Sequence, residues 1–270
     1  MTVALGLLTP TAANMVGAVA GTPGPSVRRP VVEVVSPTPP RGFDTPSMRR
    51  RPDPAAVARI AERAARVAAF TNLLVRVPRP MPAFARPRPR TARVGSVPAG
   101  SKYYGLPIVA WVERISADGR WGLVELPYTW PRRHGWIRLD GMERRRTQVR
   151  VEVDLSLHRL TVTKRGRVLF RALGATGSPS SPTPVGEYFV TDRVSFSAGN
   201  SYGSFAFGIS GIQPNLPRGW TGGNQLAIHG TNQPWTIGRS ASAGCIRVSE
   251  GTLDRLVPLL AYGTPIVIHA

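Results

Sequence analysis

Residues 228–247 read IHGTNQPWTIGRSASAGCIR, and this stretch holds the only cysteine of the chain, Cys245, sixteen positions after His229. A thiol becomes a strong nucleophile only when it loses its proton, and a nearby imidazole is a suitable base and ion-pair partner. Gly244 leaves the backbone beside the sulfur open, so a substrate carbonyl oxygen can accept hydrogen bonds from the amides of Gly244 and Cys245. The stretch predicts an enzyme in which Cys245 is the nucleophile, His229 is its base and these two amides form an oxyanion hole.

The imidazole of His229 needs a hydrogen-bond partner for its second nitrogen. No carboxylate lies close to either motif in the sequence, since Glu187 and Asp192 are upstream and Glu250 and Asp254 are downstream. A backbone carbonyl is therefore expected to orient the ring.

Segments further upstream extend the pattern. Val151-Glu152-Val153-Asp154-Leu155-Ser156 precedes Leu160-Thr161-Val162, and Thr176-Gly177 precedes Pro182-Thr183-Pro184-Val185-Gly186. Together with His229-Gly230-Thr231 and Ser242-Ala243-Gly244-Cys245, they resemble the L,D-transpeptidase catalytic domain (YkuD-like) family over about residues 148–270. The resemblance implies a mainly β fold, an L,D-transpeptidase-type β-sandwich with one short helix near the C-terminus.

The same resemblance implies the chemistry. Cys245 would attack the carbonyl of the third residue of a peptidoglycan stem peptide, and the resulting thioester would pass to an amine of a second stem to form a 3→3 cross-link. The main-chain oxygen of Gly230 would be the third catalytic member, and no metal or cofactor is implied. The residues expected to bind substrate are Arg247, Gly244, Ser242, Asn232 and Tyr202.

Position 243 departs from the family pattern. Many members carry a histidine directly before the Gly-Cys pair, whereas this chain has Ala243. Because His229 is the implied base, the difference is expected to affect substrate detail more than catalysis.

Two other functions stay open at this point. In an L,D-carboxypeptidase, water would replace the amine in the second step, and the sequence does not distinguish the two outcomes. A basic cell-wall or nucleic-acid binding protein without chemistry is the other, although the sequence contains no nucleic-acid-binding motif. A single cysteine excludes an intramolecular disulfide and a cysteine-rich metal site.

The charge of the chain is strongly positive, with 35 Lys+Arg against 15 Asp+Glu and a formal net charge of +20. Residues 1–147 hold 24 of the basic and 9 of the acidic residues, so most of the excess precedes the catalytic region. A basic surface favours anionic partners. The expected partners are peptidoglycan stem peptides and anionic wall polymers, without a specific nucleic acid.

The N-terminal region is expected to lack a core. Residues 1–21 resemble a degenerate secretory signal, which favours an extracytoplasmic location, in the cell wall or periplasm, for a secreted or tethered protein. Residues 22–93 are rich in Pro and Arg and are predicted to be a largely disordered linker with one helix over about 54–75. Residues 1 to about 92 are therefore expected to be dispensable for chemistry.

The rest of the chain is predicted to be β-rich. Residues 94–147 show short strands separated by turns and resemble bacterial SH3-like modules. Strands continue through the catalytic domain at 148–270, the first two over Val149–Leu155 and Leu160–Lys164. Ser249 is expected to cap the C-terminal helix. The region Gly199–Gly223 is rich in glycine and is expected to form a flap over the site. Its aromatic residues, which could equally belong to the core, are Tyr202, Phe205, Phe207 and Trp220.

Overall fold

Strands dominate the part of the chain that the computed structural model describes, residues 53–197, 199–219 and 223–270. Within these residues there are eighteen strands and two α-helices. The mainly β class predicted from the sequence is therefore confirmed. The signal-like segment 1–21 and residues 22–52 of the predicted linker lie outside the described residues.

One helix, α1 (Pro54–Ala69), precedes the first strand. The side chain of Asp53 caps it by accepting a hydrogen bond from the Ala55 amide (3.0 Å), and the proline at the first position suits a helix start. The prediction that this helix continues to residue 75 is wrong. Residues 72–76 form strand β1 instead, because Leu74 and Val75 are buried in a β core rather than on a helix face.

The N-terminal β module is larger than predicted. Its strands are β1 (Asn72–Arg76), β2 (Met81–Phe84), β3 (Arg93–Val97), β4 (Val109–Val112), β5 (Arg114–Ile115), β6 (Trp121–Glu125), β7 (His134–Arg138) and β8 (Arg144–Thr147). They form two sheets, with orders β4-β1-β8 and β3-β2-β7-β6-β5. The assignment of residues 72–93 to a linker is thus wrong, because Val75, Met81 and Ala83 are part of the module's core.

The C-terminal half is built on one eight-stranded sheet of order β11-β10-β9-β18-β13-β14-β15-β17. These strands are β9 (Val149–Asp154), β10 (Arg159–Lys164), β11 (Arg167–Leu173), β13 (Gly186–Ser195), β14 (Phe205–Ile212), β15 (Gln225–His229), β17 (Ile246–Arg247) and β18 (Pro265–His269). The first part of β13 pairs with β18 and the rest with β14. Both halves of the sheet contribute to a single core, so the sheet folds back on itself as a sandwich.

The short C-terminal helix α2 spans Glu250–Leu256, with Ser249 as its N-cap as predicted. The structure describes no helix long and apolar enough to cross a membrane within residues 53–197, 199–219 and 223–270.

Buried polar contacts join the β module to the catalytic sheet. Glu125 of β6 forms an ion pair with Arg132 (3.0 Å) and accepts a hydrogen bond from the Ser210 hydroxyl of β14. Arg132 also donates to the main-chain oxygen of Glu187 (2.6 Å), and Phe189 is part of the module's core. Burial raises the pKa of Glu125 to about 7. These contacts fix the β module against the sheet that leads to Cys245.

The sheet register brings the two motifs together. Strand β15 ends at His229, and β17 begins directly after Cys245; the two strands pair in parallel, with Ile228 opposite Ile246 and His229 opposite Arg247. The intervening chain forms a 3₁₀ turn and strand β16 (Ser240–Ser242), which pairs with β12 (Thr176–Gly177). The fifteen residues between His229 and Cys245 thus form a loop that returns to the same sheet edge.

Candidate active site

A cavity of about 210 Å³ lies at this edge of the sheet. It is lined by Ser201, Tyr202, Gln213, Leu216, Gly223, Asn224, Gln225, His229, Ser242, Ala243, Cys245 and Arg247. Both predicted reacting side chains line it, as do Tyr202, Ser242 and Arg247. Asn232 does not; its side chain is exposed and it is absent from the cavity wall, so the structure does not bring it to the predicted site.

His229 is buried, 5% exposed, and its ring orientation is fixed by the main chain. Its Nδ1 lies 2.5 Å from the carbonyl oxygen of Gly230, the arrangement that the sequence analysis expected. Because a carbonyl only accepts, Nδ1 carries the proton and Nε2 is the basic nitrogen. The ring of Tyr202 packs against the imidazole at 4.7 Å between centroids.

The electrostatics keep the imidazole neutral. Burial lowers the pKa of His229 to about 4, and the positive charge of Arg247 lowers it further, whereas the hydrogen bond to Gly230 opposes the shift. At neutral pH the ring is therefore uncharged, and Nε2 is available to accept a proton.

The thiol of Cys245 is also uncharged in the resting site. Its Sγ lies 3.9 Å from the main-chain oxygen of Gln225, to which it donates. Burial raises the pKa of Cys245 to about 11, although a backbone hydrogen bond at Ala227 and the charge of Arg247 both lower it. The cysteine–histidine ion pair considered from the sequence is therefore not the resting form, because burial penalises both charges.

Hydrogen bonds within residues 242–245, called the nucleophile loop below, revise the predicted oxyanion hole. The hydroxyl of Ser242 accepts from the Gly244 amide (3.0 Å) and donates to the Cys245 carbonyl (2.6 Å). The Gly244 amide already has a partner, so the expectation that it also holds the oxyanion does not fit this arrangement. The amide of Cys245 becomes the candidate donor, and Ser242 shapes the loop through its hydroxyl.

Both the backbone conformation at position 244 and the neighbouring side chains favour glycine there. The φ of +115° at Gly244 disfavours any residue with a side chain. A Cβ at this position would also overlap the side-chain amide of Gln213. Gln213 in turn donates to the carbonyl of Pro182 (2.9 Å), which ties the nucleophile loop to the segment before β13.

Thr183 supports the loop from beneath. Its hydroxyl donates to the Gly244 carbonyl (2.8 Å) and accepts from the Gly177 amide (2.8 Å), and the residue is 4% exposed. The Thr176-Gly177 and Thr183-Pro184 segments carry part of the family resemblance, and the sequence alone indicates no role for them. The structure shows that they hold the main chain next to Cys245.

Arg247 points its charge toward the cavity. Its Nη1 donates to the side-chain oxygen of Gln233 (2.9 Å), and it makes no salt bridge with any residue that the structure describes. The guanidinium charge is thus not neutralised by a carboxylate of the protein. That suits the predicted role of holding a substrate carboxylate.

The predicted flap is only partly a loop. Its second part is strand β14, in which Phe207 is fully buried in the core, so this portion of the prediction is wrong. The first part is anchored, because Ser204 donates to Glu250 (2.5 Å) and Gly203 lies directly on Gly230. Trp220 lies outside the described residues.

The described residues include no evident set of metal ligands. Within the described part of the chain, no group of three or more His, Cys, Asp and Glu residues is placed to hold an ion.

The chain is similar in sequence to known proteins whose names match the family that its motifs resemble. A protein of Bacillus subtilis (strain 168) named "Putative L,D-transpeptidase YkuD" is 27% identical over 119 residues, which is 44% of this chain and 65% of that protein. A second from the same strain, "Putative L,D-transpeptidase YqjB", is 34% identical over 103 residues, 35% of this chain and 56% of that protein. The chain thus matches less than two thirds of the length of these relatives.

Among solved structures, an L,D-transpeptidase from Mycobacterium tuberculosis H37Rv is 21% identical with a TM-score of 0.39, over 64% of this chain and 76% of that one. The model of the family YkuD, L,D-transpeptidase catalytic domain, matches residues 148–268, the segment that holds His229, Cys245 and the sheet on which they lie. Residues 148–268 are thus similar in sequence to the L,D-transpeptidase catalytic domain family.

Proposed function

We propose that this protein is a peptidoglycan L,D-transpeptidase that forms 3→3 cross-links through a thioester on Cys245. The observation that carries the proposal is the shared cavity of Cys245 and His229, in which the Nδ1 of His229 is held by the Gly230 carbonyl at 2.5 Å. This arrangement leaves Nε2 available as a base in the cavity that also holds the only thiol of the chain.

The first half-reaction transfers an acyl group to sulfur. As Sγ of Cys245 attacks the carbonyl carbon of the third stem residue, Nε2 of His229 takes the thiol proton. The oxygen becomes negative and accepts a hydrogen bond from the Cys245 amide. The C–N bond to the terminal D-alanine then breaks, and His229 returns the proton to the departing amine.

The second half-reaction releases the product. A neutral amine of a second stem attacks the thioester carbonyl, a new C–N bond forms and the C–S bond breaks. The proton lost by the amine passes through His229 to the sulfur, which restores the thiol. If water attacks in place of the amine, the product is a shortened stem peptide and the enzyme is a carboxypeptidase.

The substrate carboxylates suit the charge of the site. Arg247 lines the cavity and has no acidic partner among the described residues, so a stem-peptide carboxylate can pair with it. The excess of basic residues over 1–147 would also favour retention on anionic wall polymers outside the cytoplasm, and such retention should weaken as ionic strength rises.

Intact-mass measurement after incubation with a stem tetrapeptide tests the proposal. The expected result is a covalent tripeptide acyl adduct that is absent from Cys245→Ala, which removes the only thiol. Analysis of the released products then distinguishes cross-linked dimers from free tripeptide. A folded chain that forms no adduct with tetrapeptide would overturn the proposal and favour a non-catalytic binding protein.

A further inference from the structure

A second cavity, of about 260 Å³, adjoins the one that holds Cys245. The two cavities share Tyr202, Gly223 and Gln225. Gln225 lies between them, since its carbonyl accepts from the thiol of Cys245 at 3.9 Å and its side-chain amide donates to Asp192 at 2.6 Å. A molecule in the second cavity would therefore lie beside the nucleophile without filling the first cavity.

Asp192 lines the second cavity with a carboxylate that the protein satisfies only in part. The residue is 1% exposed. Its Oδ2 accepts from the Thr191 hydroxyl (2.8 Å) and from Gln225, whereas Oδ1 is buried with no hydrogen-bond partner among the described residues. A buried carboxylate with an unpaired oxygen is costly unless a cation reaches it.

Two basic side chains are used elsewhere, those of Arg193, next to Asp192 in the sequence, and Lys102, next to Tyr103 of the cavity wall. Arg193 donates to the Val257 carbonyl at 2.7 Å and lies over the ring of Phe205. Lys102 donates to the side chain of Asn224 at 2.9 Å. No described residue forms a salt bridge with Asp192, although the chain carries a net charge of +20.

Four aromatic residues also line the cavity. Tyr103, Tyr104, Phe196 and Tyr202 line it together with Asp192. Aromatic faces attract cations, and a carboxylate among aromatic rings is a common way to recognise an ammonium group. Tyr103 and Tyr104 come from the β module, and the Tyr103 hydroxyl is fixed by hydrogen bonds with Asn224.

The backbone opposite Asp192 is adapted to this arrangement. Gly208 pairs with Asp192 in the sheet, and a Cβ on it would lie 2.5 Å from the Gln225 amide nitrogen and 2.7 Å from Asp192 Oδ2. Any larger residue would therefore displace the carboxylate and its donor.

We propose that the second cavity binds a primary ammonium group of the acceptor substrate, with Asp192 as its counter-ion. The identity of that molecule rests on the proposed function, in which the resolving nucleophile is the side-chain amine of a diamino acid. Such an amine is protonated at neutral pH, since a lysine-type amine has a pKa of about 10.4. It arrives as ammonium and releases one proton to solvent before it attacks the thioester.

The two cavities then have opposite preferences. The first offers the positive Arg247 to a carboxylate, and the second offers the negative Asp192 to an amine. The β module contributes directly to acceptor selection through Tyr103 and Tyr104.

Binding without chemistry tests the cavity directly. The Cys245→Ala chain is titrated with Nα-acetyl-lysine amide, which has one ammonium group, and with its Nε-acetylated form, which has none, while NMR shifts are followed. Only the first should give saturable shifts, and Asp192→Asn should weaken its binding at least about tenfold. Asn keeps the shape of the side chain and an acceptor for Thr191 and Gln225.

Asp254→Asn, which removes an exposed carboxylate of α2, is the matched control and should leave the affinity unchanged. Absence of saturable binding, equal binding of both probes, or binding that Asp192→Asn leaves unaltered would overturn the proposal.

Transfer measurements separate this inference from the proposed function. In the active chain, Asp192→Asn should lower transfer to the lysine probe at least about tenfold more than it lowers the rate of Cys245 acylation. Transfer to hydroxylamine, which is neutral at the assay pH, should not change. Equal loss with both nucleophiles would indicate a general structural role and overturn the inference. If the wild-type chain is not acylated, the proposed function fails while the binding titration still decides the ammonium site.

Discussion

Replacement of Thr183 by valine should weaken both the stability of the catalytic domain and the reactivity of Cys245. Valine has nearly the shape of threonine, so the change leaves no cavity and removes only the hydroxyl. That hydroxyl joins the Gly244 carbonyl to the Gly177 amide, with both distances at 2.8 Å in a buried site.

The expected magnitude follows from the two groups left without a partner. A buried backbone donor or acceptor that loses its hydrogen bond costs about 1–3 kcal/mol. Two such groups should together lower the free energy of unfolding by about 2–4 kcal/mol, since the loop can relax in part. The chain should still fold, because domains of this kind have about 5–15 kcal/mol of stability.

The same change should slow acylation of Cys245. The Gly244 carbonyl is one residue from the sulfur, and a displacement of about 1 Å near a reacting group can cost about a hundredfold in rate. Urea unfolding gives the stability, and time-resolved intact mass with a stem tetrapeptide gives the acylation rate. Thr183→Ser keeps the hydroxyl and is the matched control, with an expected loss below about 1 kcal/mol. If valine costs less than about 0.5 kcal/mol and leaves the rate within about twofold, the supporting role assigned to Thr183 is refuted.

Four further outcomes are expected. Ala243→His should change the acylation rate by less than about tenfold, or about 1.4 kcal/mol of barrier, because His229 is already oriented by the main chain; a gain of several orders of magnitude would contradict this. The pKa of His229 in the folded chain is about 4, below its ordinary value of 6.5. The free energy of unfolding, measured with urea, should therefore fall by roughly 3 kcal/mol as the pH is lowered from about 6.5 to 4. A similar pH-dependent loss in His229→Gln would argue against His229 as its source. Gly244→Ala should lower the free energy of unfolding, measured with urea, by at least about 2 kcal/mol and abolish acylation. The reason is that the φ angle of Gly244 is +115° and that a Cβ would overlap a neighbouring side chain. A normal acylation rate would be inconsistent with that geometry. Deletion of residues 1–52 should preserve acylation. Deletion of residues 1–92 should destabilise the chain, because it removes two strands of the β module's core. Equal urea midpoints for the two truncated chains would contradict the finding that the β module begins before residue 93.

The fold could be predicted from the sequence wherever alternation of buried and exposed residues was regular. Strands β9 and β10 fall close to their predicted positions because successive side chains point to opposite faces. Strand β2 was missed because Met81–Phe84 lies among prolines and arginines, a composition typical of linkers. Its burial depends on partners more than fifty residues later, such as Trp136, and local composition carries no such information.

The site could be predicted only as far as its motifs reach. The nearness of Cys245 and His229 followed from two short segments, whereas Thr183 and Asp192 lie far from both in the sequence. Sheet register brings Asp192 opposite Gly208, and a buried hydrogen bond brings Thr183 to Gly244. Burial also reversed the expected charge state of the catalytic pair, since no motif reports how deeply a side chain is enclosed.

The neutral state of the pair has a functional consequence. Because burial lowers the pKa of His229 and raises that of Cys245, a thiolate is unfavourable until a substrate carbonyl accepts the sulfur's electrons. Proton transfer is then coupled to attack, and the negative charge moves to an oxygen that the Cys245 amide can bind. The positive charge of Arg247 lowers the pKa of both groups. It therefore disfavours an imidazolium in the resting site and stabilises the negative charge of the intermediate. We therefore expect the thiol to react chiefly with a molecule that fills the cavity.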